Sequence, residues 1–154
     1  MTARYRPARR ALLATATTAA LAAAAVRVRA QGTAAPIVQP REATPAAFAA
    51  RAAEMRRLAI ERGDQAYGAV VVRDGRIVGE GVSAVVTDRD PTAHAEMQAI
   101  RDAARRLGTG DLSGCVLYGT SRACPMCEAA AYWARIARLN SGPQPADDGA
   151  PRLR

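Results

Sequence analysis

Residues 90–107 read DPTAHAEMQAIRDAARRL, and this stretch organises the predicted fold. Asp90 and Pro91 open the segment, apolar residues then recur at helical spacing, and Gly108 follows. Proline suits the first turn of a helix, and glycine commonly follows its last residue. The stretch therefore predicts a helix from about 93 to 107 with one apolar face. That face is expected to consist of Met97, Ile100, Ala104 and Leu107.

A second helix is predicted to begin at a pair of cysteines. Residues 124–139 read CPMCEAAAYWARIARL, in which Pro125 again suits a first helical position. The apolar run Gly114–Thr120 lies just before this segment and predicts a buried strand. The pattern therefore predicts a strand, a short turn and a helix from Cys124 to about Arg138.

The region upstream predicts one helix and one hairpin. Thr44-Pro45 indicates a helix start, and Gly63 indicates its end. Asp74-Gly75 lies between two β-branched runs, 67–73 and 76–82, which is a strong signal for a two-residue hairpin. The order helix, hairpin, helix, strand, helix predicts an α/β fold with a mixed sheet, of which three strands are evident.

The first 30 residues have the composition of an export signal. Met1–Arg10 carries four arginines, Ala11–Val26 is uncharged, and Ala30 ends a small-residue cleavage site. The uncharged run is shorter than the roughly 20 residues that a membrane-spanning helix needs. Arg9-Arg10 resembles a twin-arginine signal, so we expect a periplasmic protein from which residues 1–30 are removed. The alternative is an uncleaved anchor or an alanine-rich surface helix.

Polar segments border the predicted domain. Residues 31–43 are expected to form a linker. Residues 140–154 are rich in proline, glycine and aspartate, and they predict a disordered tail. The domain is therefore expected to span residues 44–139.

The formal net charge of +8 comes mostly from the N-terminal segment. Residues 1–30 contain six arginines and no acidic residue, whereas residues 31–154 contain 16 arginines and 14 acidic residues. A nearly neutral domain gives no strong nucleic-acid signal, because such binding usually requires a basic patch. The composition therefore does not favour a nucleic-acid partner.

Four side chains suited to metal and proton chemistry lie at the two predicted helix starts. His94 and Glu96 belong to the first start, and Cys124 and Cys127 belong to the second. One nitrogen and two sulfur ligands leave the fourth position of a tetrahedral Zn²⁺ free for water, as in catalytic sites. We therefore expect His94, Cys124 and Cys127 to bind zinc, and Glu96 to carry a proton.

Each of these residues also has a simpler interpretation on its own. A histidine at a helix start is often a cap or a partly buried donor. Cys-x-x-Cys alone can be a thiol–disulfide motif, and a glutamate in a first helical turn suits the helix dipole. Cys115 lies in an apolar run and is expected to be a buried packing thiol.

The combination of motifs resembles a known family. DPTAHAE at 90–96 and CPMC at 124–127, followed by YWAR at 132–135, resemble the cytidine/deoxycytidylate deaminase superfamily, whose signature joins H-x-E to C-x-x-C. Within it, the chain is most similar to bacterial guanine deaminases and next to tRNA adenosine deaminases, from about Phe48 to Leu139. The resemblance implies a cytidine deaminase-like three-layer α/β/α fold around a five-stranded sheet, a zinc cofactor and a homodimer.

Position by position, the resemblance implies the same roles, with His94, Cys124 and Cys127 as zinc ligands and Glu96 as the proton carrier. It also places Ser83 where relatives have an asparagine that contacts the base, so Ser83 is the candidate substrate contact. Arg122-Ala123 replaces the usual Glu-Pro before the first cysteine. This departure reverses a charge near the metal.

The resemblance also implies that part of the fold is missing. The family continues after Leu139 with two more strands, whereas the sequence here continues as a polar tail. The strand predicted at 114–120 would then form an open sheet edge. We therefore expect a shortened family member with low stability.

Three functions remain open on the sequence. The first is hydrolytic deamination of a purine base or nucleoside, with guanine favoured and Glu96 as the proton shuttle. The second is deamination of another substrate, either adenosine in tRNA or cytosine/cytidine. The third is a non-catalytic zinc-binding remnant or a thiol-redox module, which Glu96 disfavours because a structural zinc site does not use such a group.

Overall fold

The computed structural model describes residues 35–153, and the predicted export signal at 1–30 lies outside them. Within the described residues, helices and strands alternate along the chain. In chain order they are α1 Pro45–Glu61, β1 Gly68–Arg73, β2 Arg76–Val82, α2 Ala95–Leu107, β3 Val116–Gly119, α3 Pro125–Trp133, β4 Arg138–Ser141 and β5 Ala146–Gly149.

The strands form one mixed sheet in the order β2-β1-β3-β4-β5. β1 pairs antiparallel with both β2 and β3, β3 pairs parallel with β4, and β4 pairs antiparallel with β5. The parallel pair is connected through α3, as a crossover between parallel strands requires. The predicted α/β class with a mixed sheet is confirmed.

Helices cover both faces of this sheet. Along β1, Val70 and Val72 belong to a core cluster with Phe48 and Met55 of α1. The alternate residues of β1, including Val71, pack on the opposite face with α2 and α3. Successive side chains of a strand point to opposite faces, so a strand that is apolar throughout requires a layer on each side. The three-layer α/β/α arrangement follows from this pattern.

Local signals place the helix ends and the hairpin as predicted. The Thr44 hydroxyl accepts a hydrogen bond from the Ala47 N–H at 3.2 Å and caps α1. Asp74 and Gly75 have φ angles of 49° and 71°. Positive φ at both central residues is typical of a type I′ turn, whose twist matches that of the two strands of a hairpin. Gly108 ends α2 in the left-handed conformation.

Glycines let the helices lie close to the sheet. A Cβ atom on Gly81 of β2 would lie 1.9 Å from the Ala95 carbonyl oxygen, and one on Gly68 of β1 would lie 2.2 Å from the Ala52 carbonyl oxygen. No side chain fits at either position. At these two positions α2 and α1 therefore lie directly against the backbone of the sheet.

This close approach corrects the predicted inner face of α2. Met97 and Ala104 are half-buried, whereas Ala95, Ala99 and Ala103 are completely buried. Small residues occupy the inner face because α2 passes directly over the glycines of β2. Ile100 and Leu107 of the predicted face do pack in the core, so the prediction was right for these two residues and missed the fully buried alanines beside them.

The C-terminal part of the chain corrects three further predictions. α3 ends at Trp133 rather than near Arg138, because Arg135 adopts a left-handed φ of 62° and the chain then enters β4. The described part of the predicted disordered tail is ordered, since it completes β4 and forms β5, which ends at Gly149. The domain therefore extends beyond 139.

β3 is consequently not a sheet edge. β1 pairs with one side of β3 and β4 pairs with the other, with Leu117 opposite Leu139. The sheet has five strands, and the expected loss of two strands is wrong. None of the helices in the part of the chain that the structure describes is long and apolar enough to span a membrane.

Candidate metal centre and cleft

The sheet topology brings the two predicted helix starts together. Gly68 at the start of β1 lies opposite Val82 at the end of β2, and Ala69 lies opposite Gly119 at the end of β3. The chain leaves β2 towards α2 and leaves β3 towards α3, so both helices begin at the same end of the sheet. His94 and Cys124 are the N-caps of these helices.

Three side chains form one group of potential metal ligands. The Cys124 and Cys127 sulfur atoms are 3.6 Å apart, and each lies 3.7 Å from Nδ1 of His94. Within residues 35–153 this is the group of histidine, cysteine and acidic side chains placed to hold a metal ion. The predicted ligand set is therefore brought together.

The dimensions of this triangle fit a tetrahedral zinc ion. Zn–S bonds of about 2.3 Å and Zn–N bonds of about 2.0 Å imply edges of about 3.8 Å between sulfurs and about 3.5 Å between sulfur and nitrogen. The observed edges lie within about 0.2 Å of both values. Three ligands leave one tetrahedral position open, which is typical of catalytic rather than structural zinc.

The chemistry of the donors also fits a cation. Burial raises the pKa of the Cys127 thiol, and the neighbouring Glu96 and Cys124 raise it further. A buried thiol among acidic neighbours needs a positive charge to become the thiolate that binds metal. The free N–H groups at the start of α3 contribute part of that charge.

Glu96 lies beside the ligands in the first turn of α2. Its side chain is buried, with 6% of the residue exposed, and its Oε2 lies 3.7 Å from the Cys127 sulfur. Burial raises the pKa of the Glu96 carboxyl. A hydrogen bond from its own backbone N–H and the nearby His94 lower that pKa and offset part of the rise. The structure thus places a buried carboxyl at the edge of the metal centre.

A cleft of about 300 Å³ opens over this centre. Its volume is at the lower end of the range of about 300–1,000 Å³ for small-molecule pockets. The side chains that line it come from the α1–β1 loop and from the two helix starts. They are Gln65, Tyr67, His94, Glu96, Ser121, Arg122 and Cys124.

Sequence reasoning did not identify the wall formed by Gln65 and Tyr67. These residues precede β1, and β1 begins at the sheet end where α2 and α3 start. The antiparallel pairing of β1 with both β2 and β3 places Gln65 and Tyr67 beside the metal centre. The sequence alone did not show that β1 lies between these two strands.

Ser83, the predicted substrate contact, has another partner. It is 2% exposed, and its hydroxyl donates a hydrogen bond to Oδ1 of Asp64 at 2.9 Å. Ser83 is not among the described residues that line the cleft. A contact between Ser83 and a base therefore stays a prediction.

Asp64 connects the two loops beside the cleft. Besides Ser83, its carboxylate accepts hydrogen bonds from the N–H groups of Gln65, Val86 and Thr87 and from the Thr87 hydroxyl. Desolvation raises the pKa of the Asp64 carboxyl, but these hydrogen bonds outweigh it, so the pKa lies well below its usual range. The loop that leads to His94 is thus tied to the loop that carries Gln65.

Fold and site together define an α/β/α domain in which a histidine and two cysteines are placed to bind a metal ion. The particular family follows from sequence comparison, because the profile of the cytidine and deoxycytidylate deaminase zinc-binding region matches residues 43–142. The chain belongs to this family. The zinc-binding character of the family agrees with the positions of the histidine and the two cysteines.

Known relatives share this region. Guanine deaminase of Bacillus subtilis (strain 168) is 54% identical over 69 residues, which cover 45% of this chain and 44% of the relative. The tRNA-specific adenosine deaminase of Aquifex aeolicus (strain VF5) is 44% identical over 81 residues, which cover 53% of this chain and 54% of the relative. The chain therefore spans about half the length of these curated relatives.

The fold also agrees with a solved structure. The X-ray structure of guanine deaminase from Bacillus subtilis matches with a TM-score of 0.62 at 41% sequence identity, and the match covers 64% of each chain. The cytidine deaminase-like architecture expected from the motifs is thereby confirmed.

Proposed function

We propose that this protein catalyses the zinc-dependent hydrolytic deamination of a purine base or nucleoside, with guanine favoured. The single observation that carries the proposal is a buried carboxyl beside a three-ligand metal centre at the bottom of a cleft. A purely structural zinc site has no use for an open coordination position or for such a carboxyl.

In this reaction three side chains would bind the metal and a fourth would transfer the proton. His94, Cys124 and Cys127 would hold Zn²⁺, which when bound lowers the pKa of a water molecule and so supplies a nucleophile. Glu96 would take a proton from an attacking water molecule and pass it to the leaving amine. A C–O bond forms at the ring carbon, the C–N bond breaks, and ammonia leaves.

The cleft walls suit a flat heteroaromatic ring. Tyr67 lines the cleft and is 45% exposed, so its ring is free to contact a base. Gln65 and Ser121 offer hydrogen-bonding groups to the ring edges. Similarity to a guanine deaminase of 54% identity supports guanine as the favoured base.

The second candidate is adenosine in tRNA, supported by similarity to a tRNA-specific adenosine deaminase. The nearly balanced charge of residues 31–154 disfavours it, because tRNA binding relies on basic surfaces. The third candidate is a non-catalytic zinc protein or a thiol-redox module. The ring nitrogen of His94 lies 3.7 Å from both cysteine sulfurs, which favours metal binding over disulfide chemistry.

A substrate panel tests the proposal. Zinc-loaded protein is assayed for ammonia release from guanine, guanosine, adenosine, cytosine, cytidine and tRNA. We expect the highest kcat/KM for guanine. Preference for tRNA would favour the second candidate. Zinc binding without ammonia release from any of these substrates, or an oxidoreductase activity that persists after zinc is removed, would favour the third.

We also propose that the protein acts in the periplasm after export. Support comes from the arginines of Met1–Arg10, the uncharged run that follows and the small residue at Ala30. Arg9→Lys combined with Arg10→Lys is expected to block export if the twin-arginine route is used. An intact Met1-containing chain in the cytoplasm of wild-type cells would contradict this proposal. The homodimer also stays a prediction.

A further inference from the structure

The cleft has a cationic rim and an acidic floor. Arg122 is exposed and lines the cleft two residues before the ligand Cys124, whereas Glu96 is buried at the bottom. Within residues 35–153 Arg122 takes part in none of the ion pairs. Its guanidinium is therefore available to a ligand in the cleft.

The neighbouring polar side chains of the cleft differ from Arg122 in their hydrogen-bonding groups. Gln65 and Ser121 each carry both donor and acceptor groups, so they fit many ring edges. The guanidinium of Arg122 only donates, and it does so in a planar fork. The rim therefore selects for a ring edge with two adjacent acceptors.

Guanine has such an edge in the required place. Its O6 and N7 atoms are adjacent acceptors, and arginine commonly binds both at once. When the C2 amine of guanine faces the floor, O6 and N7 lie on the edge turned away from that amine. Adenine has an amine at C6 in place of O6, so its corresponding edge presents a donor beside N7.

We propose that Arg122 determines specificity by donating two hydrogen bonds to O6 and N7 of guanine. The inference rests on the proposed deaminase function and adds a base-recognition residue to it. Ser83, which has its hydroxyl on Asp64, is not required for it.

The test compares guanine with 2-aminopurine, which keeps the C2 amine and N7 but lacks O6. Arg122→Gln is expected to lower kcat/KM for guanine roughly 10- to 100-fold and kcat/KM for 2-aminopurine by a clearly smaller factor, because guanine loses the hydrogen bonds to O6 and N7 whereas 2-aminopurine loses only the one to N7. Arg122→Lys keeps the charge without the fork and should restore little of the guanine preference. Arg76→Gln is the matched control, since Arg76 is exposed at the far end of the β1–β2 hairpin.

A binding measurement separates this inference from the proposed function. In zinc-loaded Glu96→Gln protein, displacement of fluorescent 2-aminopurine by guanine measures affinity without turnover. Selective weakening of guanine by Arg122→Gln supports the inference even if wild-type protein releases no ammonia, a result that would overturn the proposed function alone. Equal weakening of both ligands, or no change in either, overturns the role of Arg122 even if guanine is deaminated.

Discussion

At the residue scale, the metal centre depends on side chains that are distant in sequence but close in space. His94 and Cys124 are 30 residues apart in the chain, and their ligand atoms are 3.7 Å apart. Their residue types and their positions at helix starts were enough to predict this group. Arg122 was expected near the metal, but its place opposite Gln65 in one cleft could not be predicted, because that depends on which loops meet above the centre.

Removing one ligand should remove the metal. Cys124→Ser is expected to reduce zinc from about one ion per chain to nearly none, because a neutral hydroxyl is a poor substitute for a thiolate. Cys115→Ser is the control, since Cys115 is completely buried in the core and lies outside the ligand group. Metal analysis of both purified proteins checks this. Zinc retained in the Cys124 variant would remove this residue from the ligand set.

Asp64 should make stability depend on pH. Its folded-state pKa is depressed, so its stabilising effect is present above the unfolded pKa of about 3.9 and is lost as the pH falls through the lower folded pKa. Asp64→Asn places an amide where the carboxylate accepted hydrogen bonds from Val86 and Thr87. We therefore expect a lower Tm at pH 7 and a weaker loss of Tm below pH 4.

Melting curves from pH 7 to pH 3 compare this variant with Asp74→Asn. Asp74 lies in the exposed hairpin turn, where asparagine is equally suited. Identical pH profiles for wild-type protein and Asp64→Asn would show that the link between the two loops does not depend on this carboxylate.

At the element scale, the packing of α2 on β2 positions the metal centre. The backbone of Gly81 lies against the first turn of α2, which directly follows His94 and contains Glu96. The existence of α2 and its cap at Gly108 were predictable from local sequence. Its packed face was predictable only in part: Ile100 and Leu107 pack as expected, but the apolar period gives no information about the glycines of β2 that bring the alanines of α2 against the sheet.

A methyl group at Gly81 should disrupt this contact. Gly81→Ala would place a Cβ 1.9 Å from the Ala95 carbonyl oxygen, so α2 must shift. We expect the free energy of unfolding to fall by about 3 kcal/mol or more, with weaker zinc binding. Gly110→Ala is the control, because no atom lies within 4 Å of a Cβ built there, and its effect should stay within about 0.5 kcal/mol. Equal denaturation midpoints for the two variants would contradict the packing.

At the scale of the whole molecule, the sheet is completed by segments with little strand character in sequence. β4 is only four residues long, with Leu139 as its buried apolar residue, and β5 reads ADDG. Such short, polar segments give no alternating pattern, which is why 140–154 was predicted to be disordered. β4 becomes a strand because β3 offers unpaired backbone groups on its second side, and β5 then pairs with β4. This is a tertiary effect that local propensity does not reveal.

This arrangement makes β4 part of the cooperative unit. Leu139 is 5% exposed within the core cluster between the sheet and α2 and α3. Leu139→Ala is therefore expected to lower the free energy of unfolding by about 2–5 kcal/mol. Leu153→Ala, at an exposed leucine, should change it by less than about 0.5 kcal/mol. If the two variants unfolded at the same urea concentration, β4 would not be part of the folded core.

In the proposed deamination a zinc centre and a buried carboxyl act together, and Glu96→Gln separates the two. The glutamine keeps the size of the side chain but cannot carry a proton, and the three ligands are unchanged. Wild-type protein and variant should each bind about one zinc per chain, whereas ammonia release from guanine should fall at least about 100-fold in the variant. Equal rates in the two zinc-loaded proteins, or no deamination by the zinc-loaded wild-type protein, would contradict the account.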